Sequence, residues 1–457
     1  MGIYVNRTLN MKHIKAVGFD MDHTIVRYNS RLFEETTFNE VIKKLLTVKH
    51  YPAEISKLRF DFDLAIRGLA IDKKNGNLLK VSRFGQIKSA SHGSKILDYK
   101  TVREYYKGRY IDLNDPAYIC IDTTFSISHA VLFALLIDLK DQKTNLPSYE
   151  IIATDVLEMI DMCHRDGTLK NIVRENIADY ILKDPAIVNM LMRLKKFGKK
   201  IWVITNSHYA YTKLLLDYTI NPYLRDFSKW EDFFDLVVVS SSKPRFFMED
   251  QPFFKVNTQD ESLTEVPHVV GGIYHGGSAT RLQTDMNLKP DEILYLGDHI
   301  YGDIVSLKKS CYWRTALVLE ELEQETIIHK RHEDLEKCID ESMQKKVALE
   351  KKLDDLQEIN LEKNMNYHSE ETQQILNEIE NLNLTLGNLI ETYNQNFNPY
   401  WGEVMRAGRE ESRFANQVEK YACFYVSKVS DLLECSPRSY LRPVKRMMAH
   451  DSYSSLK

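Results

Sequence analysis

The chain has 457 residues, 43% of them apolar, with 25 Tyr and 19 Phe. That is too long for one ordinary core and too apolar for global disorder, so roughly two or three domains are expected. A net charge of −4, from 61 basic and 65 acidic residues, argues against the basic footprint of general nucleic-acid binding. The scattered cysteines (Cys120, Cys163, Cys311, Cys338, Cys423 and Cys435) form no Cys-x-x-Cys pair and read as reduced thiols of a cytoplasmic protein. No signal-type apolar region opens the chain. The longest apolar run, Ala130 to Leu139 with Asp138 inside it, is too short to cross a membrane.

In chain order, Lys15 to Phe19 reads as a buried parallel strand that ends in Asp20-Met21-Asp22-His23-Thr24. A long mixed stretch follows. It holds a helical pattern from Phe38 to Leu46 and a hairpin in which Gly68–Ile71 and Leu78–Val81 flank the turn signal Lys74-Asn75-Gly76-Asn77. Because both of its ends return to the same sheet, this stretch is expected to be an α+β domain inserted over the ligand-binding end. Asp184, Pro185 and Gly198 then bracket a helix. Further strands are expected at Lys200–Ile204, Phe234–Val239, Glu292–Leu296 and Thr315–Leu319, with a helix from Tyr211 to Tyr218. Near-continuous apolar strands alternating with helices indicate an α/β fold with a parallel sheet covered on both faces.

Beyond Glu320 the chain becomes charged helix. Leu349, Leu353 and Leu356, then Ile375, Ile379, Leu382, Leu386, Leu389 and Tyr393, step by threes and fours. The polar interval Glu362 to Glu371 reads as the turn of an antiparallel helical hairpin, either a regulatory or oligomerising element or a solvent-facing prop on the core. Aromatics from Phe397 onwards suggest that the last segment folds back on the core. The expected organisation is a discontinuous catalytic core (1–28 and 184–319), an inserted cap (29–183), a helical extension (320–396) and a C-terminal segment (397–457).

The chemistry lies at four strand ends. Asp20 and Asp22 sit close enough to share a divalent cation, and oxygen ligands of this kind suit Mg²⁺. An Asp so placed is also a nucleophile towards phosphorus. Thr205, Asn206 and Ser207 offer hydroxyls, a carboxamide and backbone N–H groups just before a helix N-terminus, where an anion is favoured. Lys243 brings a cation to the phosphoryl oxygens. Asp298 and Asp303 add metal-binding oxygen. Each motif alone is commonplace, since Thr-Asn after a strand is often only a turn and Lys-Pro often a solvated loop. Four in this order, each after an apolar strand, form a set.

That set resembles the haloacid dehalogenase superfamily, whose motifs are matched by Asp20 to Thr24, Thr205-Asn206, Lys243 and Gly297-Asp298 to Asp303. The chain is more narrowly similar to the cytosolic purine 5′-nucleotidase family. That likeness runs through Arg67-Gly68-Leu69, Gly76 to Lys80, His92-Gly93, Ile160 to His164, Gly167 to Lys170, Gly297 to Asp303 and Arg413-Phe414-Ala415. The resemblance implies a Rossmann-like haloacid dehalogenase core with a large cap and a helical extension. It implies hydrolysis of purine nucleoside 5′-monophosphates, with IMP and GMP preferred. Asp20 would be the nucleophile and Asp22 the acid and base. Asp20, Asp22 through its carbonyl, Asp298 and Asp303 would serve Mg²⁺, and Thr205, Asn206, Ser207 and Lys243 would hold the phosphate. Asp161, His164, Lys170 and Phe125 would meet the nucleoside. The chain departs from the family's pattern at Leu157, where a basic residue is expected, and at Arg165, where an aromatic one is expected.

The same intermediate is open to a nucleoside acceptor as well as to water, so phosphotransfer stands beside hydrolysis. Two alternatives are a phosphatase of this fold for another small phosphoester and a non-catalytic interaction protein built on the helical hairpin. Neither nucleic acid nor membrane is expected as a partner; homo-oligomerisation is implied by the resemblance alone.

Overall fold

The computed structural model describes residues 2–107, 111–112, 115–362, 370–445 and 448. Its main sheet has ten strands: β1 (Ile3–Val5), β2 (Ala16–Phe19), β3 (Lys200–Ile204), β4 (Leu236–Val239), β5 (Phe253–Val256), β6 (Leu263–Val266), β7 (Gly272–Gly276), β8 (Ile293–Gly297), β9 (Arg314–Val318) and β10 (Phe424–Val426). The spatial order is β1-β10-β9-β8-β2-β3-β4-β7-β5-β6. From β10 across to β7 every pairing is parallel, while β1 and the β5–β6 hairpin add antiparallel edges. The fold is thus α/β, with a sheet dominated by parallel strands.

The five core strands expected from the apolar runs are all present, within a residue or two of their expected bounds. The strands that flank these five on either side were not expected. Gly272–Gly276 has the sequence Gly-Ile-Tyr-His-Gly, which carries no continuous apolar run. Phe424–Val426 and Ile3–Val5 are too short to announce themselves. They are held by their partner in the sheet, with Tyr4 stacked on Tyr425 at 5.1 Å.

β2 lies at the centre, with β3 on one side and β8 on the other, in register Val17↔Ile201 and Val17↔Leu294. This places the ends of β2, β3 and β8 side by side. Packing of Trp202, Trp313, Tyr295, Phe246 and Phe247 fills one buried cluster on the sheet, and burial of such large side chains is the main stabilising contribution. The expected helix after Asp184 runs Pro185–Lys196, and the Asp184 carboxylate accepts the Ala186 N–H at 3.0 Å.

Between β2 and β3 the chain forms a five-stranded antiparallel sheet, in the order Lys95–Ile96, Ile87–His92, Asn77–Val81, Leu69–Asp72, Tyr118–Cys120. The helices Ser30–Thr47, Ile127–Asp141 and Tyr149–Arg165 belong to the same region. The expected hairpin closes where Asp72 Oδ1 accepts the Lys74 and Asn75 N–H groups and Gly76 takes a φ of +70°, a left-handed conformation that suits glycine. The chain leaves and re-enters the core through one short antiparallel pair, Arg27–Tyr28 with Ile181–Leu182.

Residues Met1–Glu320 and Val404–Lys457 form one compact unit, and Glu321–Glu403 a second. The second contains the long helices Glu333–Glu362 and Glu370–Asn394; most of the expected turn between them lies outside the described residues. This unit runs on past residue 396. Phe397 packs within it, its ring tilted 5.2 Å from both His329 and Tyr393, and His329 meets Glu403 at 3.0 Å. Phe397 therefore packs against its own helices, where a return to the core was expected. All six cysteines are unbridged. Among the described residues no helix is long and apolar enough to cross a membrane.

Candidate active site

The carboxyl ends of β2, β3 and β8 open into a cavity of about 490 Å³, a size that takes a small ligand. Asp20, Asp22, Asn206, Ser207, Lys243, Asp298 and Asp303 line its floor, and Phe33, Phe125, His164, Arg165, Leu169 and Lys170 line the side formed by the inserted region. Residues almost three hundred positions apart are brought together because parallel strands all present the same end to one edge.

Lys243 is the hub. Its Nζ lies 2.8 Å from Asp20 Oδ1, 2.7 Å from Asp303 Oδ1 and 3.0 Å from the Tyr295 hydroxyl. Although burial opposes its charge, Asp20 and Asp303 hold the ammonium well above the ordinary lysine range. Burial pushes the Asp20 carboxyl well up; the Lys243 charge opposes this, and Asp303, Asp298 and Asp22 add to it. Oxygens of Asp20, Asp298 and Asp303 all lie within 4.8 Å of one another. Two carboxylates flank Lys243 and a third, Asp298, adjoins them, and hard oxygen donors so gathered fit a small divalent cation such as Mg²⁺.

Asp303 reaches this cluster from a π-helical turn, Ile300–Val305, where its Oδ2 accepts the His299 N–H at 3.2 Å. Gly297 is required beneath it, because a Cβ there would overlap the Asp303 carboxylate. Asp298 Oδ2 accepts the Thr123 hydroxyl at 2.9 Å, and the Asp298 carbonyl accepts from the buried Arg67 guanidinium at 2.9 Å. Both partners come from the inserted region.

Asp22 faces elsewhere. Its Oδ1 accepts the Tyr28 hydroxyl at 2.6 Å, and its Oδ2 accepts the Ser207 hydroxyl at 2.9 Å, with the Thr205 hydroxyl at 3.5 Å. Its side chain is not part of the Asp20–Asp298–Asp303 cluster, which leaves only the backbone carbonyl for a metal. Thr205 is fully buried and does not line the cavity; its hydroxyl accepts the Ser207 N–H at 3.0 Å. Asn206 lines the cavity but commits its carboxamide to the Lys243 backbone.

Of the nucleoside-side expectations, Phe125, His164 and Lys170 line the cavity, and Asp161 does not. Asp161 is exposed, one turn back on the helix Tyr149–Arg165. Phe125 meets His164 edge-on at 5.6 Å and Phe33 at 5.3 Å, while Phe33 stacks with His164 at 6.4 Å. Burial, with the Lys170 charge, brings His164 down to about 4, so its ring is neutral. Lys170 Nζ lies 3.0 Å from His208 Nδ1 and over the Tyr211 ring. Arg165 also lines the cavity, whereas Leu157 is exposed and does not. Sequence reasoning missed Phe33, Tyr28, Tyr211, Thr123 and Tyr295. None stands in a recognisable motif; only Thr123, two residues before Phe125, carried a positional hint.

A model of the 5′ nucleotidase family matches residues 3–453. The chain is 25% identical over 462 residues to a 5′-nucleotidase domain-containing protein of Dictyostelium discoideum, spanning 98% of this chain and 74% of that protein. It is 30% identical over 336 residues to 5′-nucleotidase domain-containing protein 1 of Homo sapiens, spanning 67% and 72%. Among solved structures, a predicted phosphoglycolate phosphatase from Haemophilus somnus is similar over 67% of this chain and 85% of its own, at 14% identity and a TM-score of 0.31. An archaeal β-phosphoglucomutase from Pyrococcus is similar over 67% and 86%, at 11% identity and a TM-score of 0.32.

Proposed function

We propose, since this chain belongs to the 5′ nucleotidase family and is a hydrolase of phosphomonoesters, that it hydrolyses purine nucleoside 5′-monophosphates, IMP and GMP ahead of AMP. The observation that carries this reading is the Asp20–Lys243–Asp303 cluster, with Asp22 beside it, at the floor of a cavity whose other side is Phe33, Phe125 and His164. An aromatic wall suits a stacked base, and the donor-only side chains Arg165 and Lys170 suit the carbonyl oxygen of a 6-oxopurine.

Asp20 is the nucleophile. Its carboxylate oxygen attacks phosphorus, the P–O5′ bond breaks, and Asp22 passes its proton to O5′, releasing the nucleoside. Asp22 then takes a proton from water as that water attacks the aspartyl-phosphate. Phosphate leaves and Asp20 returns to a carboxylate. Lys243 balances charge on the phosphoryl oxygens and on Asp20. Ser207 and Asn206, at the start of the helix Tyr209–Thr219, border the phosphate. Asp20, Asp298 and Asp303, with the Asp22 carbonyl, would hold Mg²⁺, which supplies electrostatic stabilisation of the transferring phosphoryl group.

Asp20→Asn tests the covalent role: turnover should fall by several orders of magnitude, about 5 kcal/mol or more for loss of a nucleophile. Unchanged turnover rejects it. Rates on IMP, GMP, AMP, a pyrimidine monophosphate and a sugar phosphate test the substrate; equal rates on all reject the purine assignment.

A further inference from the structure

Asp22 receives its shortest side-chain hydrogen bond from outside the four motifs. The Tyr28 hydroxyl donates to Asp22 Oδ1 at 2.6 Å and lies 3.1 Å from the Tyr211 hydroxyl. A phenol has one proton. With that of Tyr28 given to Asp22, the Tyr211 hydroxyl must donate to Tyr28, so the three oxygens form a directed chain ending on the carboxylate. Both tyrosines are buried.

The Tyr28 ring has little freedom. It stacks on His23 at 4.7 Å and meets Phe33 edge-on at 5.2 Å. Its backbone pairs with Ile181, at the one place where the chain passes from the core into the inserted region and back. The Tyr211 ring, for its part, lies beneath the Lys170 ammonium of that region, 5.5 Å away. Two contacts with the inserted region thus converge on one oxygen of Asp22.

We propose that Tyr28, supported by Tyr211, is a positioning residue that aims the Asp22 carboxyl at the leaving-group oxygen. This rests on Asp22 being the proton donor. An alkoxide leaving group such as a nucleoside O5′ needs a proton as the P–O bond breaks; p-nitrophenolate, a weak base, departs without one. A group that only aims the acid therefore matters for the first kind of ester and hardly for the second.

The experiment compares kcat/KM on IMP and on p-nitrophenyl phosphate for the wild type, Tyr28→Phe, Tyr211→Phe and Asp22→Asn, at saturating Mg²⁺. Because kcat/KM covers events up to the first irreversible step, it reports departure of the leaving group. Tyr28→Phe keeps the ring packing and is expected to lose roughly 10- to 100-fold on IMP and less than about threefold on the aryl ester. Tyr211→Phe should change the same ratio in the same direction by less, because Tyr28 still donates to Asp22. Parallel loss on both esters, or no loss on either, overturns the proposal. Should Tyr28→Phe fail to fold, the ratio in Tyr211→Phe decides. A selective loss in Asp22→Asn without one in the tyrosine variants overturns the tyrosines' part alone. Equal loss on both esters in Asp22→Asn overturns the reading beneath it.

Discussion

The Asn206 side chain holds the Lys243 backbone from both sides: its Oδ1 accepts the Lys243 N–H at 2.6 Å, and its Nδ2 donates to the Lys243 carbonyl at 3.1 Å. Ser241 adds a hydroxyl to the same Oδ1 at 2.9 Å. Ser240 and Ser242 on this loop both take left-handed backbone, a conformation that needs outside support. The carboxamide at the end of β3 thereby sets where the ammonium at the end of β4 stands.

Asn206→Ala should therefore cost activity through Lys243. A displacement of about 1 Å at a catalytic group is worth roughly 100-fold, so kcat/KM on a nucleoside monophosphate should fall by about that factor. Steady-state kinetics at saturating Mg²⁺ measure it. A change within about twofold would show that the loop holds Lys243 without help.

Chelation should abolish turnover, and added Mg²⁺ should restore it. Thr123→Val removes the hydroxyl that Asp298 accepts without touching the cluster. Loss of such an outer partner is typically worth about 10-fold or more in metal affinity, so the Mg²⁺ concentration for half-maximal rate should rise by about that much. An unchanged Mg²⁺ titration would separate Asp298 from metal binding.

Phe125→Ala strips the aromatic wall beside His164 and Phe33. Loss of a stacking surface of this kind costs roughly 1 kcal/mol. KM for IMP should accordingly rise several-fold, while the rate on a small sugar phosphate stays near the wild-type value. Equal effects on both substrates would remove the base from that wall.

His129 supplies a pH test of stability that lies away from the site. It is buried in the helix Ile127–Asp141, its Nε2 within 3.1 Å of the Ala153 carbonyl. Burial lowers its pKa from 6.5 to about 4. The folded pKa lies below the unfolded one, so the unfolded chain binds more protons between them. Stability should fall as pH drops from about 6.5 to 4, by up to roughly 1.4 kcal/mol per pH unit from this residue. Urea unfolding of the wild type and His129→Gln across that window checks this: the variant's acid slope should be shallower. Equal slopes would mean that His129 titrates normally.

Much of the core was legible because its physics is local. Lys200–Ile204 and Leu236–Val239 are apolar runs, and such runs fold as strands covered on both faces. Asp184-Pro185 is a helix start whatever surrounds it. Gly272–Gly276 and Phe424–Val426 were not legible, since only pairing with distant strands makes them part of the sheet. Phe397 was misplaced for the same reason: an aromatic residue advertises burial without naming its partner.

The order of Asp20-x-Asp22, Thr205-Asn206, Lys243 and Asp298 to Asp303 along the chain determined which chemical groups stand at which strand ends, because a parallel sheet turns every strand the same way. Which oxygen meets which donor was decided only in three dimensions. That Asp22 turns from the carboxylate cluster to Tyr28 and Ser207, that Asn206 grips a backbone, and that Asp161 stands outside the cavity are outcomes of packing. A hydrogen bond acts over about 3 Å, and nothing in the spacing of residues along a chain specifies separations on that scale.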